Sequence, residues 1–232
     1  MAVADVGANL AAVRERISRA GGDARRVTVV AVTKGFGPEA VRHALAAGLV
    51  DVGENYAQEL RVKAAAGSRE PARGGGLETE TRWHLLGRVQ RNKVRTVAPL
   101  VHLWQGVDRP EAGSEIARRS PGAHVLVQVN LSGETQKAGC RLAEAPGLVE
   151  QFVASGLDVR GLMGIGPAGP AEAARAGFRR LRELADRLGL AEVSMGMSDD
   201  LEVAVQEGST MVRIGRALFG PRPDPVRVQG LQ

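Results

Sequence analysis

Eight short apolar runs rich in β-branched residues alternate with eight helix-patterned runs along this chain, so that each strand-like run is followed by a helical one. The strand-like runs cover residues 27–34, 50–53, 83–87, 101–107, 124–131, 159–165, 192–197 and 211–215. Helical patterns lie near 38–47, 56–66, 90–97, 109–119, 143–155, 170–188 and 199–207, with a short one after 216. Parallel strands need a crossover, and a helix is the usual one, so this order predicts a parallel sheet. Eight such units in 232 residues match a single α/β, TIM-type (β/α)8 barrel better than an open sheet. A doubly wound sheet with fewer real strands is the alternative. An extra N-terminal helix precedes the first strand, because Val6, Leu10, Val13 and Ile17 recur at helical spacing among Arg14, Glu15, Arg16 and Arg19.

Chemistry in such barrels gathers at the C-terminal ends of the strands. Those ends present Lys34, Gly53-Glu54-Asn55-Tyr56, His84 with Gly87, Asn130 with Lys137, Met163-Gly164, Ser194 to Asp200, and Arg213 to Arg216. Lys34 is one of only four lysines among 31 basic residues, and it closes an apolar strand. A desolvated lysine loses its proton readily and then condenses with an aldehyde to a Schiff base. A side chain that snorkels to solvent is the plainer reading of this segment alone.

The loops after strands seven and eight are the common phosphate cradle of a barrel. Ser194, Gly196 and Ser198 offer hydroxyls and close backbone approach there, and Gly215-Arg216-Ala217 opens a short final helix. Strands eight and one are neighbours once a barrel closes, so a phosphate held there would lie beside Lys34. A lysine next to a phosphate cradle is the outline of a pyridoxal 5′-phosphate site. Residues 211, 213 and 215 share one strand face. If that face is the interior, Arg213 points at the ring of a cofactor on Lys34, and a guanidinium opposite a pyridine nitrogen keeps it unprotonated. The alternative for Arg213 is a structural ion pair with Glu202 or Glu207.

The remaining features narrow the function classes. The net charge is +5, but acids and bases are interspersed along most of the chain. The one dense basic stretch, Arg88 to Arg95, has no interleaved aromatics to stack on bases. A solvated helical face is therefore expected there, with an anion or nucleic-acid site as the minority reading. The lone Cys140 fits a reducing compartment and a semi-buried structural thiol. No apolar stretch has membrane-spanning length and no signal-peptide pattern opens the chain, so a cytoplasmic protein is expected. His43, His102 and His124 sit at surface or strand-start positions, and His84 is expected to be a hydrogen-bonded core histidine. No cluster has metal-ligand spacing.

Several segments together carry a family resemblance: Ala31-Val32-Thr33-Lys34, Gly53 to Glu59, Trp83 to Gly87 with Gln90, Asn92 and Lys93, and Gln128-Val129-Asn130 with Lys137 and Gly139. Gly161-Leu162-Met163, Ser194 to Asp200 and Gly208 to Gly215 complete it. On these residues the chain resembles the pyridoxal phosphate homeostasis family, the YggS/PROSC-type proteins, and through it the N-terminal barrel domain of alanine racemase. The resemblance runs from about residue 5 to Gly220, so residues 1–220 are expected to form one cofactor-binding barrel and 221–232 a flexible tail. It implies pyridoxal 5′-phosphate held as a Schiff base on Lys34, phosphate contacts from Ser198, Gly215 and Arg216, and a ring-nitrogen contact from Arg213. Asn55 and Met195 complete the expected cofactor-binding set. Many members have Thr where this chain has Arg216, which puts a hydroxyl contact to phosphate in doubt. The implied role is binding, buffering and delivering the cofactor to apoenzymes that require it, with no catalytic residue assigned; the lack of residues for a racemase-type second domain makes a monomer the expectation. The single Tyr56, expected to pack or cap locally, and the lack of residues for a second β domain argue against efficient amino-acid turnover. A slow racemase or decarboxylase is the alternative, and an adaptor using Arg88 to Arg95 is a third reading.

Overall fold

The computed structural model describes residues 5–67, 81–134 and 137–222. Eight parallel strands close into a barrel in sequence order: β1 (Thr28–Val32), β2 (Asp51–Glu54), β3 (Arg82–Leu85), β4 (Val101–Val107), β5 (His124–Asn130), β6 (Asp158–Ile165), β7 (Glu192–Ser194) and β8 (Met211–Ile214). Helices α1 (Val6–Arg19), α2 (Pro38–Ala46), α3 (Ala57–Gly67), α4 (Arg91–Val97), α5 (Pro110–Arg119), α6 (Ala145–Ala154), α7 (Arg175–Arg187), α8 (Leu201–Gln206) and α9 (Arg216–Phe219) surround it. The expected TIM-type barrel with its extra N-terminal helix is the observed fold.

Local chemistry sets the helix starts. The Asp5 carboxylate accepts the Ala8 N–H at 3.0 Å and so caps α1. Pro38 and Pro110 open α2 and α5, where a fixed φ and a missing N–H cost nothing. The apolar stripe of α1, Val6, Leu10, Val13 and Ile17, is buried in a cluster that also holds Val29, Ala31, Leu201, Val212 and Ile214. α1 thereby covers the seam where the barrel closes, beside α8 and α9.

Alternation along the strands separates two cores. Val30, Leu103, Leu126, Met163 and Met211 meet inside the barrel. The odd-facing neighbours, such as Val52, Trp83, Trp104, Val127, Leu162 and Val193, pack outward against the helices. The closing pair aligns Thr28 with Met211 and Val30 with Arg213. By the two-residue period of a strand, Val30 and Val32 therefore share the interior direction with Arg213.

Three sequence boundaries are corrected. The first strand ends at Val32, so Lys34 stands in the turn beyond it rather than inside the strand. The seventh strand stops at Ser194, not 197, because the chain turns through Gly196 at φ +95°. The helical run 170–188 divides into a 3-10 turn at Ala171–Ala174 and α7. Most of the Gly-rich loop expected over 67–81, residues 68–80, lies outside the described residues, as does the tail from 223 onward.

Candidate functional site

Lys34 is half-buried at the C-terminal mouth of the barrel, between Thr33 and Gly35, which adopts φ +76°. Its amine makes no hydrogen bond or ion pair among the described residues. Burial, with the guanidinium charges of Arg222 and Arg213, pushes its pKa below the ordinary lysine range, against a weaker opposite pull from Glu54 and Glu59. The flanking backbone is held by a network that sequence reasoning missed. Lys63 of α3, itself buried, places Nζ 2.7 Å from the Thr33 carbonyl oxygen, 2.5 Å from Glu54 Oε1 and 3.4 Å from Glu59 Oε2. The Thr33 hydroxyl donates to the same Glu54 oxygen at 2.5 Å, and Glu59 Oε2 accepts the Gly35 N–H at 3.1 Å. One ionic cluster thus grips the chain on both sides of Lys34. The available signal was Glu59 and Lys63 at i, i+4 spacing on a helix directly after the Gly53-Glu54-Asn55 turn.

Arg213 is buried inside the barrel, and among the described residues no carboxylate is bonded to it. Its Nη1 donates to the carbonyl and hydroxyl oxygens of Ser194, each at 2.8 Å, and Nη2 donates to the Gly164 carbonyl at 2.8 Å. The ion pairs considered for it form elsewhere: Glu202 takes Arg16, and Glu207 takes Arg175 and Arg179. Desolvation lowers the Arg213 pKa to about 10, opposed by Asp200. Behind it a polar chain crosses the barrel. Ser194 Oγ donates to Gln105 Oε1 at 2.7 Å, and the Gln105 amide donates to His84 Nδ1 at 2.8 Å. His84 Nε2 meets Asp51 Oδ1 at 3.0 Å, and Arg82 pairs with Asp51 Oδ2 at 2.5 Å. Burial pushes the Asp51 carboxyl up, yet the His84 and Arg82 hydrogen bonds outweigh it and hold it below the usual range. His84 is accordingly a satisfied core histidine. Gln105, the other residue missed, showed itself in sequence only as a polar residue within an apolar strand.

The loops after β7 and β8 come together beside this interior group. The Ser198 hydroxyl accepts the Ala217 N–H at 3.2 Å, and the Ser198 carbonyl accepts from Arg16 at 2.9 Å. The Asp200 carboxylate accepts the Met197 N–H at 2.6 Å and ties the seventh loop to itself. Gly215 precedes α9, and a Cβ built there would lie 3.2 Å from the Val32 carbonyl, so β8 and β1 run close at this level. Arg216 is exposed and its guanidinium pairs with Asp199 across the two loops. The Met195 side chain is fully buried in the outer, helix-facing core, which leaves its main chain as the part nearer the mouth.

Lys34, Ser198, Arg213, Gly215 and Arg216 therefore gather at the β1, β7 and β8 ends. Asn55 follows the end of β2, the strand paired with β1 where Val32 aligns with Gly53, and it also lines a cavity with Tyr56, Gly87 and Gln90. Tyr56 caps locally, as expected: it precedes α3 and its carbonyl accepts the Leu60 N–H at 3.1 Å, while the residue is 62% exposed. It follows the tight β2 end, where only a main-chain bond to Leu60 engages it. Lys137 pairs with Glu134 at 2.5 Å over a loop organised by Asn130, whose amide donates to the Glu134 and Lys137 carbonyls. Burial, reinforced by Glu144 and Asp108, raises the Cys140 thiol to about 12, the state of an unreactive structural cysteine. Among the described residues no helix is long and apolar enough to cross a membrane, and no cluster of three or more His, Cys, Asp or Glu is set to hold a metal.

Residues 8–223 match the family model described as alanine racemase, N-terminal domain. A pyridoxal phosphate homeostasis protein of Pseudomonas aeruginosa is 42% identical over 220 residues, covering 91% of this chain and 92% of the relative. Among solved structures, a protein of Bifidobacterium adolescentis superposes with a TM-score of 0.84 at 34% identity, covering 93% of this chain and 94% of the other. PipY of Synechococcus elongatus, solved with PLP bound, gives 0.77 at 31% identity, covering 93% of this chain and 100% of PipY. Near-complete coverage at these identities, on the barrel described above, means that this chain belongs to the pyridoxal phosphate homeostasis protein family.

Proposed function

We propose that this chain binds pyridoxal 5′-phosphate as a Schiff base on Lys34 and serves vitamin B6 homeostasis by holding the cofactor and delivering it to apoenzymes that require it. The observation that carries the reading is Lys34 itself. It is a half-buried lysine with no bonded acid, held by its neighbours and pushed toward the neutral amine by burial and two guanidiniums. A neutral amine is the form that attacks an aldehyde. The residues around it fit the rest of the group. Arg213 supplies a desolvated, donor-only contact for a ring nitrogen, and Ser198, Gly215 and the first turn of α9 supply donors for a phosphate. Arg216 adds positive charge at the rim, tempered by Asp199. PipY, similar over 93% of this chain, was solved with PLP bound.

When bound, the cofactor supplies an aldehyde that exchanges between amines and an electron-withdrawing ring. The protein's own residues restrict the chemistry open to that group. Arg213 holds its protons as a guanidinium, so it does not protonate a ring nitrogen as a carboxylic acid would. The only tyrosine, Tyr56, is exposed and lines a cavity that Lys34 does not line. Among the described residues no second acid or base is bonded at Lys34 to deliver a proton to the opposite face. These features favour a carrier over a racemase or decarboxylase.

The test is a paired assay on the purified, cofactor-loaded protein. It should restore activity to a cofactor-requiring apoenzyme while racemising and decarboxylating amino acids far more slowly than about 1 per second, the low end of ordinary enzymes. Turnover at or above that rate would replace the carrier reading by the enzymatic one.

A further inference from the structure

We propose that Gln105 and His84 are positioning residues for the cofactor: they fix the direction of a hydrogen-bond chain that crosses the barrel and orients Arg213. The inference deepens the cofactor reading and rests on it, since Arg213 is there the contact to the ring nitrogen. The chain runs from Asp51 at the start of β2 through His84 on β3 and Gln105 on β4 to Ser194 at the end of β7 and Arg213 on β8. Every member is buried.

Both ends of the chain set the same sense. Against its burial, the hydrogen bonds from His84 and Arg82 keep Asp51 an anionic acceptor, so the proton between Asp51 and His84 sits on Nε2. At the other end Arg213 only donates. Ser194 Oγ accepts from its Nη1 at 2.8 Å and donates to Gln105 Oε1 at 2.7 Å. The Gln105 amide nitrogen then faces two acceptors, His84 Nδ1 at 2.8 Å and Met211 Sδ at 3.0 Å. Turning that amide over would press its oxygen on the sulfur, and its N–H groups on a hydroxyl already engaged by Arg213. His84 is therefore the neutral tautomer with a bare Nδ1. The consequence falls on Arg213. The carbonyls of Ser194 and Gly164 belong to the barrel frame and hold one edge of the guanidinium. The Ser194 hydroxyl is its one side-chain acceptor among the described residues, and Gln105 holds that hydroxyl in its rotamer. The Nε–H of Arg213 bonds to nothing among the described residues and is a donor left for the ring.

The experiment titrates the full-length, cofactor-free protein by visible absorbance with pyridoxal 5′-phosphate and with its deaza analogue, which has a C–H in place of the ring nitrogen. The unaltered protein should prefer pyridoxal phosphate by about tenfold or more, as for one hydrogen bond from a charged donor. Gln105→Met keeps the length of the side chain and removes both amide bonds, and should cut the preference to about twofold. His84→Phe removes the acceptor of the amide and should act in the same direction. Leu103→Val loosens the interior cluster around Met211 without touching the chain, and should keep the full preference. In long-range proton–nitrogen NMR spectra of the unaltered protein at neutral pH, His84 should show a protonated Nε2 and a bare Nδ1. A full preference in Gln105→Met overturns the proposal, as does an equal loss in Leu103→Val, which would mark a packing effect. A protonated Nδ1 on His84 overturns the sense of the chain. Equal affinity of the unaltered protein for the two compounds removes the ring contact, and the proposal with it, while capture at Lys34 stands. Failure of the unaltered protein to bind either compound overturns the cofactor reading itself.

Discussion

Arg213 Nη1 lies 2.8 Å from both the carbonyl and the hydroxyl oxygen of Ser194, so a buried positive charge is held in place by neutral dipoles. The Ser194 hydroxyl accepts from Arg213 and donates its own proton to Gln105, whose amide bonds His84, which in turn meets Asp51. Truncating the hydroxyl leaves a guanidinium donor and a glutamine oxygen unpaired in the interior. Ser194→Ala should therefore lower stability by about 1–3 kcal/mol, measured by urea unfolding. It should also shift the visible absorption of the cofactor-loaded protein, which an effect on folding alone would leave unmoved.

Covalent capture is the most direct check on Lys34. Borohydride treatment of the loaded protein should fix a phosphopyridoxyl group on the peptide carrying Lys34, read by mass spectrometry, and Lys34→Ala should be colourless with unchanged circular dichroism. A label confined to Lys63, Lys93 or Lys137 would contradict the assignment. Lys63 is the informative control, since its amine is committed to Glu54, Glu59 and the Thr33 carbonyl.

The same amine should show a displaced pH dependence. Capture of the aldehyde requires the neutral form, so the rate rises with pH through the Lys34 pKa. That pKa is lowered by burial first and by Arg222 and Arg213 next, which places the midpoint below the ordinary lysine range. Removing one opposing charge raises the pKa again. Arg222→Gln should shift the profile to higher pH and slow capture at neutral pH, as followed by stopped-flow absorbance. A profile that moves to lower pH would refute this electrostatic account.

The Lys63–Glu54 pair offers a stability prediction with a built-in control. Glu54 is fully buried, and its second oxygen already lacks a partner. Lys63→Met strands that carboxylate and should cost about 3–5 kcal/mol in urea unfolding, the range for breaking a buried pair. The double change Lys63→Met with Glu54→Leu should recover part of this loss, because no buried charge remains unpaired. Equal stability of single and double variants would show that the pair is not electrostatically coupled.

Much of the architecture was readable before any coordinates. Alternating strand and helix patterns are local, and each β/α unit announces itself by its own hydrophobic period. Pro38 and Pro110 mark helix starts for the same reason. The apolar strand running into Lys34, and the glycines and serines after strands seven and eight, were legible because site residues of a barrel lie at strand ends. Tyr56 caps α3 as a residue after a tight turn can, but a single such residue carries no periodic signal of where its ring goes, and the residue is exposed.

The sequence by itself determined the order of the elements and a parallel sheet, with a barrel favoured over a doubly wound sheet, and it placed Lys34 at the end of the first strand. Closure alone decided that Val30 pairs with Arg213 and so brings the first and last strands, some 180 residues apart in the chain, to one mouth. It also decided that Arg213 rests on Ser194 and Gly164 rather than on Glu202 or Glu207, that Lys63 grips Thr33, and that Asn55 and Trp104 line one cavity. The physical reason is that hydrophobic periodicity is short-ranged, whereas a buried polar group is satisfied by whichever partner the three-dimensional register brings within hydrogen-bonding distance.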